Sequence, residues 1–110
     1  MKEAFSQAEE RIIVYGGIYP KFWKDFEDLL REKAKEGVKI IFILDSRCKY
    51  RKDEILKELP WLRDIAELRI ANTDFKKHFE IVDNGKFIRI EKPHGELKVG
   101  SLIDYQLVNS

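Results

Sequence analysis

The chain has 110 residues, of which 44% are hydrophobic and 37% charged, with 21 Lys plus Arg against 20 Asp plus Glu. This length fits a single domain over 1–110, large enough to bury about two-thirds of its unfolded surface. The net charge of +1 argues against a basic nucleic-acid coat and against an acidic disordered tail. No apolar run approaches the roughly 18 residues of a membrane span, and MKEAFSQAEE lacks the apolar stretch of a signal peptide. The one cysteine, Cys48, excludes an internal disulfide and fits a reduced, cytoplasmic setting. Abundant Lys and Glu with scarce Gln and Asn give a composition of the hyperthermophile kind.

Residues 2–10 read as a short helix with Phe5 and Ala8 on one side. Arg11 to Tyr15 is an apolar run rich in β-branched residues, as suits a strand buried on both faces. Gly16 and Gly17 punctuate it, and Pro20 opens a helix over 20–36 with Phe22, Trp23 and Phe26 on an inward stripe. Gly37 stops that helix. Val38 to Leu44 is a second buried strand, completing a βαβ unit with a parallel pair. A basic loop follows at 46–52. Asp53 is a candidate cap for a second helix that Pro60 ends, and Trp61 reads as a partly exposed subunit contact. Ala66 to Ala71 alternates like a strand. His78 to Val82 and Lys86 to Ile90 flank Asn84-Gly85, the signal of a two-residue hairpin turn. Val99 to Val108 reads as a last strand and a turn of helix. The fold class is α/β: a mixed sheet with a parallel βαβ start and a C-terminal antiparallel hairpin.

In such sheets ligands bind beyond the carboxyl ends of the parallel strands. Gly16 and Gly17 fall there, either as an anion cradle or simply as a tight turn. Arg47, Lys49 and Arg51 fall on the following loop, either to recognise phosphate or carboxylate or as a solvated surface. Cys48 lies between cations but has no histidine base near it in sequence. His78 opens a strand beside Lys76 and Lys77, where it could attack or bind a phosphoryl group, or merely be satisfied by structure. His78 and His94 lack a third ligand at a metal-binding spacing, so no metal or cofactor is expected.

The βαβ start, the loop after ILD, the segment HFEIVDNGKFIRI and the later Gly100-Ser101 together resemble one half of the phospholipase D-like fold. That family's signature is HxK, then four residues, then Asp, followed by GSxN. His78 matches the histidine. Glu80 stands at the lysine, Gly85 at the aspartate with Asp83 two residues early, and Ile103 at the asparagine. The resemblance implies a histidine nucleophile and a phosphate-binding lysine, and two such motifs facing each other. A glutamate at the lysine position repels phosphate in a poorly solvated site. This degenerate form is similar to the effector domains of archaeal TrmB-type transcriptional regulators. In that resemblance residues 2–10 are the stub of a linker helix.

The resemblance implies a non-catalytic ligand-sensing or dimerisation module of transcription-regulator type. A homodimer and a small anionic or sugar ligand are expected, bound through Gly16, Gly17, Arg47, Lys49, Arg51, His78, Glu80 and Ser101. The alternative is a metal-independent phosphodiesterase or nuclease, acting as a homodimer with His78 as nucleophile. A third reading is nucleic-acid binding through 47–52 and Lys76–Lys77, which the near-neutral total charge ranks last.

Overall fold

Two apolar runs form the centre of the sheet. The computed structural model describes residues 1–16, 18–45, 50–71, 78–91 and 97–99. Strand β1 (Arg11–Gly16) lies parallel to β2 (Lys39–Asp45), with Ile12 opposite Ile40 and Gly16 opposite Leu44. The connection is helical, as the sequence predicts, but not one helix. It comprises α2 (Pro20–Trp23), a 3-10 turn (Lys24–Phe26) and α3 (Glu27–Lys35). Gly37 follows α3 with a φ of +90°, the left-handed conformation that closes a helix.

Helices α4 (Lys52–Glu58) and α5 (Leu62–Ile65) lead into β3 (Ala66–Ala71), which adds a third parallel strand beside β2. The chain then pairs on the other side of β1. Strands β4 (His78–Val82), β5 (Phe87–Glu91) and β6 (Leu97–Val99) are antiparallel, giving the six-stranded order β3-β2-β1-β4-β5-β6. The mixed sheet with a parallel start and an antiparallel hairpin is thus the observed architecture.

Alternation along the strands divides the core between two faces. Ile12, Val14, Ile40, Phe42, Leu44 and Val82 face the helices, where Phe5, Trp23, Leu30, Ile55, Leu59 and Leu62 meet them. Tyr15, Phe79, Ile81 and Ile88 form a smaller cluster on the opposite face, with the Tyr15 and Phe79 rings stacked at 4.8 Å.

Several local expectations are corrected. Helix α1 covers only Lys2–Ser6, yet its Phe5 is fully buried, stacked on Trp23 at 6.1 Å and edge-on to Phe26 at 5.8 Å. Phe5 and Ala8 belong to the main core. Phe22 is not on the buried stripe: it is 49% exposed, because the tighter 3-10 turn breaks the 3.6-residue period after Trp23. Trp61 is buried at 5% exposure, held in the main core beside Leu62. Asp53 does not cap α4; Arg51 is the N-cap residue, without a side-chain cap, and Asp53 sits in the first turn.

The hairpin loop is also longer than two residues. Ladder pairing ends at Val82 and Phe87, and the positive φ values belong to Asp83 (+52°) and Gly85 (+103°) rather than to Asn84. Asp83 explains why. Its carboxylate accepts hydrogen bonds from the backbone N–H groups of Glu9 (3.2 Å), Glu10 (2.7 Å) and Arg11 (3.1 Å). Its own N–H donates to the Arg11 carbonyl at 2.7 Å. The turn is therefore shaped to clamp the entry of β1.

Candidate functional site

The site forms where β1 ends and β4 begins. In the antiparallel register Tyr15 lies opposite Phe79, so the next step brings Gly16 against His78. Gly16 has a φ of +125°, and a Cβ built there would stand 2.7 Å from His78 Nδ1 and 3.0 Å from its Cα. Only glycine fits both the conformation and the space. Gly16 thus makes room for the imidazole.

Two residues along β4, on the same face as His78, stands Glu80. It is fully buried, although most of its neighbours on that face are apolar. Its Oε1 lies 3.2 Å from His78 Nε2 and 3.7 Å from Arg89 Nη1. Its other oxygen, Oε2, is buried with no hydrogen-bond partner among the described residues. A carboxylate alone in such a place would be strongly disfavoured, so the two neighbouring nitrogens compensate it. The imidazole is held by both edges: Nε2 in a hydrogen bond with Glu80 Oε1 and the Nδ1 side against Gly16.

Arg89 was not among the sequence-predicted residues. It reaches the site because β5 pairs with β4 and sets Arg89 directly opposite Glu80. Its Nη1 also lies 3.6 Å from Met1 Sδ, which brings the start of the chain to the edge of the cluster. Asp83, considered above as a shifted family aspartate, lies at the other end of β4. It lies five positions along the strand from His78, roughly 16 Å. Burial raises the Asp83 pKa, but the three backbone donors together with Lys86 outweigh it and hold the carboxyl below its ordinary value.

The remaining predicted residues are placed as follows. Arg51 is exposed at the N-cap of α4. Gly17, Arg47, Lys49 and Ser101 lie outside the described residues, as do Cys48, Lys76, Lys77 and His94. Elsewhere a shallow groove of about 430 Å³ opens over Trp61 and Pro60 in the helical layer. Its charges are spent on each other: Lys24 with Glu58 (3.5 Å), and Arg31 with Glu27 (2.8 Å) and Asp64 (3.7 Å). None of the predicted site residues lines it. Among the described residues, no helix is long and apolar enough to cross a membrane.

No known protein-family profile matches this chain, and no curated protein sequence does. A solved structure does. TrmBL2, an archaeal chromatin protein whose structure shows a novel mode of DNA binding, superposes with a TM-score of 0.60 over 98% of this chain, at 18% identity. The two share a fold. The chain spans 43% of TrmBL2, so less than half of that protein is represented. The likeness to TrmBL2 concerns the path of the backbone, and it agrees with the TrmB-like part of the resemblance drawn from the sequence. It does not extend to individual side chains.

Proposed function

We propose that this chain is a non-catalytic module of transcription-regulator type, built on a phospholipase D-like half-domain, which senses a small ligand or mediates dimerisation. The observation that carries the reading is Glu80. A phosphodiesterase of the resembled kind needs a cation at that position to draw in phosphate oxygens. Here a buried carboxylate occupies the place and engages the histidine that would act as nucleophile. A phosphate approaching His78 would meet like charge in a site with little water to screen it. An uncharged hydroxylic ligand meets no such repulsion, so a neutral polyol or sugar suits this end of the sheet better than an anion. The fold shared with TrmBL2, a DNA-binding chromatin protein, supports placing the chain beside regulators rather than hydrolases.

Two measurements test this. Hydrolysis of bis(p-nitrophenyl) phosphate in EDTA is expected to be no faster than for His78→Ala; a His78-dependent rate would establish the phosphodiesterase reading instead. A thermal-shift screen of sugars, polyols and phosphorylated metabolites separates the two non-catalytic roles. Stabilisation by a polyol, lost in Glu80→Gln, supports sensing. No stabilisation by any of them, together with a dimer in sedimentation, leaves dimerisation alone.

A further inference from the structure

Outside the His78 cluster, one exposed surface combines aromatic rings with cations. Tyr19 is 61% and Phe22 49% exposed, unusual values for rings of this size. They lie three residues apart at the start of α2, where the Phe22 N–H donates to the Tyr19 carbonyl at 3.0 Å. Tyr50, just ahead of α4 and partly buried against the main core, meets the Tyr19 ring edge-to-face at 6.1 Å. The two tyrosines thus come from loops that follow β1 and β2, at the carboxyl end of the parallel strands. Lys21, Arg51 and Lys52 adjoin them in the chain and are all exposed. None of the three makes an ion pair among the described residues, whereas Lys24, the next cation along, is tied to Glu58. The nearest acids on α4, Asp53 and Glu54, occupy its first turn, where they offset the helix dipole.

From the contact of the two tyrosine rings and the exposed cations beside them in the chain we infer that Tyr19 and Tyr50, with Lys21, Arg51 and Lys52, form a binding surface for single-stranded nucleic acid, next to the half-exposed Phe22. Every base presents a π-face that an exposed ring can stack on, and adjacent cations hold the phosphates between them. Duplex DNA hides those faces, so the rings would be of little use to it. A second copy of this chain is the other candidate for an apolar patch. A two-fold contact centred on these rings would bring Lys21, Arg51 and Lys52 of both copies together, which like-charge repulsion opposes. The near-neutral total charge does not conflict with the inference, because the footprint is local. It stands apart from the sensing role proposed for His78 and Glu80.

The test is fluorescence anisotropy of the full chain with labelled dT20, rU20 and a 20-base-pair duplex. Binding to the single strands with weaker binding to the duplex is expected. A preference between dT20 and rU20 would name DNA or RNA, and equal binding would mean that backbone charge and stacking suffice. The affinity should fall with salt as roughly the second power of its concentration, from three phosphate contacts on a single strand. Tyr19→Ala should weaken binding about fivefold or more, Tyr19→Phe should retain it, and Lys35→Ala, at the opposite end of α3, should leave it unchanged. Circular dichroism confirms that each variant is folded. No binding, equal or tighter binding to duplex, or losses no larger for Tyr19→Ala than for Lys35→Ala would overturn the inference. So would a Tyr19→Ala variant that binds as before but sediments as a monomer where the parent is a dimer, for then the patch serves a second copy.

Discussion

Gly16 and His78 compete for one volume: a Cβ at position 16 would lie 2.7 Å from the imidazole Nδ1. Gly16→Ala must therefore move the histidine, the strand end, or both, and it must also strain a φ of +125°. A loss of about 2–4 kcal/mol is expected in denaturant unfolding, from strain and overpacking together. Gly37→Ala supplies the comparison. Its φ is +90°, but nothing lies within 4 Å of the added carbon. It should cost only about 1 kcal/mol, from the left-handed conformation alone. Equal losses for the two would mean that the contact with His78 does not matter.

Glu80 and Arg89 are expected to depend on each other. Glu80→Lys installs the lysine of the resembled HxK signature, yet it buries a second cation beside Arg89. A loss of about 3–5 kcal/mol is expected, with no gain of phosphodiesterase activity. Arg89→Met leaves the carboxylate with His78 alone among the described residues and should be costly as well. The double variant Glu80→Met/Arg89→Met removes both charges and should recover most of the loss. Urea unfolding of the parent, Glu80→Met, Arg89→Met and the double variant in a double-mutant cycle measures this; additive losses would show that the pair is not coupled.

Phe5 tests whether α1 belongs to the domain. The ring is fully buried between Trp23 and Phe26. Phe5→Ala should cost about 3–5 kcal/mol, as expected for a large aromatic removed from a core. A linker stub resting on the surface would lose less than about 1 kcal/mol. Thermal or denaturant unfolding distinguishes the two directly.

The parts of this fold that were legible in the sequence are those governed by local pattern. RIIVY and VKIIFIL read as doubly buried strands because Ile12–Val14 and Ile40–Leu44 each run without a polar residue. Asn84-Gly85 located the hairpin, and its centre already implies that Glu80 lies opposite Arg89. That pairing was nevertheless missed, because an arginine on an alternating strand reads as a solvent-facing residue. Its significance comes from the carboxylate across the ladder. Trp61 was misread for a related reason. A residue beside a proline looks like loop surface, and only the packing of α5 against the core buries it. Phe22 erred the other way, since a helical stripe assumes an unbroken helix and a 3-10 turn intervenes. His78 and Glu80 were visible by their spacing, but Gly16 looked like punctuation because its partner is more than sixty residues away.

Asp83 gives the expected acid response of the fold. Its carboxyl is held below the ordinary value of 3.8, so the ionised form is favoured in the folded state. The sign follows from linkage. The stabilisation is complete above the unfolded value, near pH 4. It is lost as the pH falls from there through the lower folded value, where the carboxylate takes up its proton and its backbone bonds weaken. Asp83→Ala removes the acceptor for three N–H groups at the start of β1 and places alanine at a φ of +52°. A loss of about 2 kcal/mol at neutral pH is expected. Asp83→Asn should be milder, because asparagine tolerates that φ and keeps a carbonyl acceptor. Unfolding free energies measured from pH 7 to pH 2 should decline less steeply below pH 4 in Asp83→Asn than in the parent chain. Parallel acid limbs would show that other carboxylates govern the acid instability and that the clamp at β1 contributes little to it.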